Sequence, residues 1–170
     1  TAHQLDLINA DVIGFQEIFS QGVLKEVLRR SRRYRDAHHI GFDPDPAAPR
    51  LTPSVALVSR LPLAEPGSQL AMFPDNVTMP SGSRDPDRFT RAPLHAGVIA
   101  APGVVIDVIV VHLKSRRPDY RSGDSGADPH LYALACLRSL IRRGTEATAL
   151  RVLLTDMAHA NRRPRLVLGD

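Results

Sequence analysis

The chain has 170 residues, of which 43% are hydrophobic and 24% are charged, proportions typical of one soluble globular domain. No apolar run is long enough to span a membrane and no segment has the layout of a signal peptide, which argues against membrane-spanning proteins. The formal net charge is +4, nearly all positive charge comes from arginine, and the single cysteine, Cys136, excludes an internal disulfide.

The predicted secondary structure mixes strand and helix patterns along the chain, without an internal repeat or a clear domain boundary. The predicted elements up to residue 60 are a helix over 2–8, a strand over 12–15, a helix capped by Ser20 that extends to about Arg30, a strand over 34–40, a loop over 41–53 and a strand over 54–58. A proline-rich loop over 65–93 follows. Loops of this length are uncommon inside compact domains, and they often belong to a functional site.

The longest apolar run, Val104–Val111, predicts a strand that is buried on both faces, with one acid at Asp107. A strand over 94–100 and a turn at Pro102-Gly103 precede it, so the two strands are expected to form a hairpin. His112 and a basic stretch follow directly, which brings polar side chains to the rim of the sheet. Asp107 itself is expected to face solvent or to be hydrogen-bonded.

The last part of the chain predicts a long helix over 131–158 and an apolar strand over 164–170 that ends in an acid. The helix is expected to be interrupted or kinked near Gly144. Its buried stripe is expected to consist of Leu134, Leu137 and Ile141, with Cys136 in the core beside it and Arg142 elsewhere on the helix. The mixture of hairpins with strand–helix alternation indicates a layered α/β fold.

Three apolar runs end in residues that can carry chemistry, namely Glu17, His112 and Asp170. Two carboxylates and a histidine at neighbouring strand ends form a minimal set for metal-assisted phosphoryl transfer. Carboxylate oxygens hold a hard cation such as Mg²⁺, which offsets the charge of the scissile phosphate together with arginines. Each residue alone is weak support, because acids and histidines also end strands that simply meet solvent.

Taken with their neighbours, these stretches resemble the endonuclease/exonuclease/phosphatase superfamily, a group of Mg²⁺-dependent enzymes of the deoxyribonuclease type. The segments that carry the resemblance, in motif order, are Asp11–Glu17, Val55–Leu63, Arg91–Leu94, Val110–Ser115 and Leu166–Asp170. Their order matches across almost the whole chain, which is more specific than any single motif. The resemblance implies a four-layered α/β sandwich, with two packed mixed β-sheets, helices outside and the site at one rim. Residues 1–170 would form a single, incomplete domain.

The resemblance also implies roles for individual side chains. Glu17 would be a metal ligand, and Gln16 would support the site without binding the metal itself. Asp170 would share the metal, or would orient or deprotonate the attacking water. His112 would bind the phosphate or donate a proton to the leaving oxygen, which suits the near-neutral pKa of an imidazole. Arg91 would contact the phosphate. The implied cofactor is Mg²⁺, with Mn²⁺ as an alternative.

The basic residues after the histidine strand, Lys114, Arg116 and Arg117, are expected to attract a polyanionic substrate. A phosphodiester substrate, and among these nucleic acid, is therefore favoured, which predicts a nuclease. The arginine content is also explained by compositional bias and solvated helix faces. The superfamily further includes phosphatases and enzymes that act on phosphoinositides or sphingomyelin, and a fold does not determine a substrate. A non-catalytic module that binds nucleic acid or another partner is the alternative from a different class. No protein partner is inferred.

The sequence departs from the superfamily pattern at its ends. The Gly169-Asp170 step would continue with an aromatic residue and an asparagine, and a later Asp-His pair and an initial strand with an asparagine are absent. The chain is therefore expected to be an excerpt truncated at both ends, soluble, and inactive as given although its parent is active. The compartment stays open between cytoplasmic and secreted, because a chain that begins at Thr1 is compatible with a removed leader.

Overall fold

The computed structural model describes residues 2–44, 51–81, 83 and 85–170. Within these residues the chain divides into two compact units. The first unit comprises the described residues within 1–71, 91–112 and 162–170, and the second comprises those within 72–90 and 113–161. The single domain over 1–170 stays a prediction. Residues 45–50 of the predicted loop, and Gly82 of the second loop, lie outside the described residues.

The first unit contains a three-stranded antiparallel sheet, sheet A, with two helices on its outer face. Its strands are β1 (Val12–Ile18), β2 (His38–Gly41) and β3 (Ser54–Ser59), in the order β1-β3-β2. The helices are α1 (Ala2–Ile8) and α2 (Gln21–Arg29). The cluster between these helices and the sheet consists of Leu5, Leu24, Leu28, Tyr34, Ala56 and Val58.

The same unit contains a mixed four-stranded sheet, sheet B. Its strands, in spatial order, are β4 (Ser68–Gln69), β5 (Leu94–Ala101), β6 (Val104–Val111) and β7 (Arg165–Gly169). The hairpin partner β5 pairs antiparallel with β6, whereas β7 pairs parallel with it. The hairpin turn includes Gly103 at φ 75°, a conformation that glycine adopts without a Cβ clash. The parallel pairing brings the carboxyl ends of β6 and β7 to one edge of the sheet.

The two sheets pack face to face over an apolar core. Its buried members are Val55, Leu57, Leu94, Ala96, Val98, Val108 and Val110. Alternate residues of β3 face this core and the helices, which explains why that strand is apolar throughout. At Gly14 an added Cβ would lie 3.1 Å from Leu168 Cβ, so the sheets approach closely there. The predicted α/β sandwich of two packed sheets with outer helices is confirmed.

The second unit is built on α3 (Pro129–Ala160), a helix of 32 residues. Asp128 caps it, since its side chain accepts hydrogen bonds from the first backbone N–H groups. An aromatic pair, Phe73 and Phe89, packs edge to face with ring centroids 5.1 Å apart. The buried cluster around that pair consists of Phe73, Val77, Met79, Phe89 and Ala149.

The helix α3 differs from its prediction. It continues without interruption past Gly144, so the predicted interruption is wrong. Its buried residues are Ala135, Ser139, Arg142, Glu146 and Ala149. The predicted stripe of Leu134, Leu137 and Ile141 is also wrong, because these side chains are exposed, and Cys136 is only half-buried. The buried face carries polar side chains that are satisfied by hydrogen bonds, which hydrophobicity alone does not identify.

Most other elements match their predictions to within a few residues, including the cap at Ser20, which accepts from Val23 N at 3.3 Å. The strand predicted over 34–40 is the main exception, since β2 begins only at His38. Tyr34 is held in a turn instead, with its N–H donating to Ser31 Oγ and its hydroxyl to Ala10 O. Its ring is therefore buried under sheet A.

No helix in the described part of the chain combines the length and the apolar character needed to cross a membrane.

Candidate active site

The polar end of β1 carries Gln16 and Glu17 at an irregularity of the β-bulge type, where the pairing with β3 shifts between Phe15 and Ile18. Glu17 has φ 58°, in the left-handed region, which costs a residue other than glycine about 1–3 kcal/mol. Bulges re-aim side chains and are common next to active sites. Here the Glu17 side chain is exposed, whereas its two neighbours are half-buried. The backbone strain thus lies at the predicted metal ligand.

His112 and Asp170 follow β6 and β7, and they lie at one edge of sheet B because Val111 pairs with Gly169. The imidazole of His112 is largely buried, and the carboxylate of Asp170 is exposed. Their atoms Nε2 and Oδ1 are 3.9 Å apart, too far for a direct hydrogen bond but within ion-pair range. A water beside the two atoms can accept from the imidazole and donate to the carboxylate.

Gln16 links the two sheets at this edge. Its Nε2 donates to the carbonyl oxygen of Val111 at 2.9 Å and to Oδ1 of Asp170 at 2.9 Å. Gln16 belongs to sheet A, whereas Val111 belongs to sheet B and Asp170 directly follows its strand β7. The amide therefore fixes the Asp170 carboxylate relative to the end of β1, where Glu17 is the next residue.

Position 169 requires a glycine because the backbone approaches its neighbours closely at this point. Its φ is 126°, which side chains disfavour. A Cβ here would collide with the carbonyl oxygen of Val111 and would lie 2.9 Å from Nε2 of Gln16. A glycine before Asp170 is therefore required for the Gln16 amide to reach its acceptors.

Arg91, which lies just before β5, contacts the backbone of the histidine segment. Its Nε donates to the carbonyl oxygen of His112 at 2.7 Å, and the residue is half-buried. A short bond from a guanidinium to a neutral carbonyl is charge-assisted. Arg91 therefore holds the end of β6 at the position where the imidazole emerges.

The basic residues after His112 belong to the second unit. Nζ of Lys114 donates to the carbonyl oxygens of Ser115 at 3.4 Å and Arg117 at 3.0 Å, and to Oγ of Ser139 at 3.3 Å. Arg116 and Arg117 are exposed. The ammonium of Lys114 therefore orders its own loop, and the two arginines present their charge to solvent.

The described contacts thus join Gln16, Arg91, His112 and Asp170 in the first unit, with Glu17 adjacent to Gln16 in the chain. Lys114 and Arg116 are placed by the second unit. The roles of all these side chains in binding metal, phosphate or water stay predictions.

Among solved structures, the chain is similar to an "endonuclease/exonuclease/phosphatase family protein from Leptotrichia buccalis C-1013-b". The TM-score is 0.53 and the sequence identity 13%, and the match covers 99% of this chain. The chain has the endonuclease/exonuclease/phosphatase fold. It spans 57% of the length of that structure.

A further solved structure, "Crystal structure of ANGEL2, a 2',3'-cyclic phosphatase", aligns with a TM-score of 0.43 and 15% identity over 80% of this chain and 34% of that chain. No protein-family model and no curated protein sequence matches the chain. The similarity to the Leptotrichia buccalis structure, at 13% identity, establishes the fold alone, and the resemblance drawn from the sequence motifs is confirmed at that level.

The resemblance to this superfamily implies a divalent cation, and the donors at the strand ends fit one. Glu17 and Asp170 are exposed carboxylates, and hard oxygen donors of this kind are the ligands that Mg²⁺ prefers. Mg²⁺ is commonly held by only one or two carboxylates, with water and phosphate oxygens in its other positions. The Gln16 hydrogen bond fixes one oxygen of the Asp170 carboxylate.

Sequence reasoning missed a buried charge cluster on sheet B. Asp107 is fully buried, with Oδ1 at 3.2 Å from His95 Nε2 and 3.4 Å from Arg163 Nη1. Its Oδ2 lies 3.7 Å from Arg165 Nη2, and Arg165 is its partner in the parallel ladder. Of the two predicted alternatives for Asp107, the hydrogen-bonded one is confirmed. An acid within an apolar strand was the available signal.

Part of that cluster has ligand geometry, since Glu65, His95 and Asp107 offer atoms that all lie within 4.8 Å of one another. However, Nη1 of Arg163 lies 2.8 Å from Glu65 Oε1 and contacts Asp107 as well. The guanidinium thus supplies the positive charge that these carboxylates require. The cluster is therefore an ion network that joins β6 to β7.

A second missed group is the ion pair Arg142–Glu146 on the buried face of α3. Both side chains are almost fully buried and lie 3.3 Å apart. Glu146 also accepts from the backbone N–H of Thr90 at 2.8 Å and of Lys114 at 2.7 Å. Arg142 donates to two loop carbonyls, those of Pro86 and Arg88. The pair thereby fixes two loops of the second unit. One loop ends at Thr90, directly before Arg91, and the other begins at Leu113, directly after His112.

Proposed function

We propose that the chain carries the central residues of a divalent-metal-dependent phosphodiester hydrolase, with nucleic acid as its favoured substrate. The supporting observation is the convergence of His112 and Asp170 at one strand edge, 3.9 Å apart, with Gln16 holding the carboxylate. A histidine close to an oriented carboxylate suits the activation of water and the protonation of a leaving oxygen.

A cation held by Glu17 and Asp170 would supply charge neutralisation on the scissile phosphate. The remaining steps fall to side chains of this chain. Nε2 of His112 donates its proton to the leaving oxygen, a contribution of about 10²–10⁴-fold for general acid catalysis. Asp170 accepts a proton of the attacking water through a carboxylate that the Gln16 amide keeps in place. Arg91 keeps the histidine segment in position through the His112 carbonyl.

The preference for nucleic acid is supported by charge. The chain has a net charge of +4, and Arg116 and Arg117, close after His112 in the sequence, are exposed. Arginine binds phosphate oxygens through paired hydrogen bonds. Removal of these two charges should flatten the dependence of log affinity on log salt by about 0.7–0.9 for each phosphate that the protein then leaves unneutralised.

The test measures hydrolysis by the full-length protein in Mg²⁺ against plasmid DNA, an RNA oligonucleotide, a bis-phosphodiester reporter, a phosphomonoester and a phosphoinositide. We expect His112→Ala to lower kcat by about 10²–10⁴-fold with little change in KM. Glu17→Gln should lose Mg²⁺ binding in calorimetry. The controls are His38→Ala and Glu26→Gln, which change an exposed and a partly exposed side chain of the same unit and should behave as wild type.

Two results would contradict the proposal. Turnover of none of the five substrates with Mg²⁺ or Mn²⁺ would favour a non-catalytic binding module. A His112→Ala effect confined to KM would remove the histidine from proton transfer and leave it as a substrate-binding group. Cleavage of the phosphomonoester or the phosphoinositide in preference to DNA and RNA would overturn the nucleic-acid assignment while keeping the hydrolase.

A further inference from the structure

A cavity of about 590 Å³ lies in the first unit between α1 and the segment that follows α2. The residues that line it are His3, Asp6, Leu7, Arg30, Arg32 and Arg33. Three of the six are arginines and only one is an acid. A concave surface with this balance attracts anions, because the field of neighbouring like charges is focused inside it.

The one acid of this arginine cavity is already engaged by its own loop. The carboxylate of Asp6 accepts from Ser31 Oγ at 2.5 Å, Arg32 N at 3.2 Å and Arg33 N at 3.0 Å. The Ser31 hydrogen bond, together with these backbone contacts and the charge of Arg33, lowers the pKa of Asp6. Asp6 therefore stays ionised and serves to fix the backbone from which two of the guanidiniums extend.

The guanidiniums of Arg32 and Arg33 are available for a ligand. Both residues are exposed, and among the described residues neither side chain makes a hydrogen bond. Arg30 shares the single carboxylate of Glu26 with Arg29, at 2.8 Å and 2.9 Å. Two guanidiniums on one carboxylate leave a net positive charge at the rim of the cavity.

The arginine cavity is remote from the strand ends that carry Gln16 and Glu17. The α2 helix starts beyond the end of β1 and runs back along it, and the Tyr34 hydroxyl donates to Ala10 O, before the start of β1. Glu17 is seven positions beyond Ala10 along extended chain, which corresponds to about 23 Å at ~3.3 Å per residue. The cavity is thus at the opposite end of sheet A, and a ligand there does not contact the candidate active site.

We propose that the arginine cavity is a second, non-catalytic site for a ligand with two or more neighbouring phosphate groups. The planar forks of Arg32 and Arg33 match phosphate oxygens bidentately, and adjacent phosphates satisfy several guanidiniums at once. The volume suits a ligand of nucleotide size, and Leu7, which is 70% exposed, offers an apolar contact for its uncharged part. Such phosphates come from a free nucleotide or from a nucleic-acid strand.

The experiment titrates the full-length protein, in EDTA so that phosphate bound through a metal does not contribute, with pyrophosphate, ADP and a fluorescent oligonucleotide. The test variant is Arg32→Gln/Arg33→Gln. Its matched control is Arg151→Gln/Arg162→Gln, which removes the same charge from exposed positions outside the cavity. Urea unfolding of both variants checks that the fold is retained, as expected for exposed side chains.

We expect wild type and control to bind, and the test variant to bind about tenfold or more weakly. Loss of pyrophosphate and ADP binding identifies a free nucleotide as the source. Loss of oligonucleotide affinity alone, with a salt slope flatter by about 1.4–1.8, identifies a strand. Equal affinities of the test and control variants for all three probes would overturn the proposal. Activity of the candidate active site does not enter this result.

Discussion

The buried pair Arg142–Glu146 offers the sharpest test of how the second unit is held together. We expect Glu146→Gln to lower the free energy of unfolding by about 3–5 kcal/mol, since the change leaves the Arg142 charge buried without its counter-ion. The side chains are only 8% and 1% exposed, so solvent screens neither of them. A loss of this size is a large part of the about 5–15 kcal/mol that stabilises a typical domain.

Hydrogen bonds from backbone N–H groups to Glu146 account for a second part of the expected loss of unfolding free energy. The carboxylate of Glu146 accepts one hydrogen bond from Thr90 N and one from Lys114 N, on different oxygens. The glutamine amide retains a single acceptor oxygen, so one partly buried N–H loses its partner, at a cost of up to about 1–3 kcal/mol. This cost overlaps with that of the unpaired charge. Adding Arg142→Met should therefore recover part of the stability and not all of it.

The assay is urea unfolding combined with amide hydrogen exchange at Thr90 and Lys114, one of which should exchange much faster in the variant. Glu26→Gln is the matched control, because Glu26 also pairs with arginines one turn away but lies at the surface, where such pairs contribute little. A Glu146→Gln protein within about 1 kcal/mol of wild type, with both amides still protected, would refute the assigned role of the pair.

Three further predictions concern the first unit. Glu17→Gly should be more stable than Glu17→Gln by about 1 kcal/mol in urea unfolding, since only glycine relieves φ 58°, and equal stability would mean that the backbone is not strained there. Burial, and secondarily the charge of Lys25, lowers the pKa of His39 below 6.5, so the contribution of this group to stability should be constant above about pH 7 and should be lost as the pH falls below 6.5. His39→Gln should reduce that fall, and an unchanged pH profile would contradict it. Gly169→Ala should cost at least about 2 kcal/mol, more than Gly123→Ala, which shares a positive φ but has open space around it; equal costs would exclude the clash with Val111.

Much of the fold was predictable because its elements are specified locally. The run Val104–Val111 is apolar at every position but one, and its last residues are buried as a strand covered on both faces requires. The α2 helix carries its own start signal, a Ser20 hydroxyl that accepts from the first turn. The order of motifs also placed His112 and Asp170 at strand ends, and the parallel pairing of their strands then brings them together.

The failures occurred where tertiary hydrogen bonds outweigh hydrophobicity. The α3 helix exposes Leu134 and Leu137 and buries Arg142 and Glu146. This burial pattern is the opposite of the one that hydrophobicity predicts. Burial of a charged pair is tolerated only if its hydrogen bonds are satisfied, and here the partners are backbone groups of distant loops. The residues within one turn of the helix do not indicate that such loop partners exist. The sequence pattern could therefore not distinguish a solvated Arg142 from a buried one.

Gln16 shows why the candidate site itself can be predicted only in part from the sequence. The motif predicts a polar residue behind Glu17, but the function of its amide depends on Val111 and Asp170, which lie 95 and 154 residues further along the chain. The amide reaches both only because Gly169 has no side chain to displace it. The position of the Asp170 carboxylate is thus determined jointly by a residue of sheet A and a glycine of sheet B. A substitution at either of these positions should disturb the distance between Asp170 and His112 without touching a reacting group.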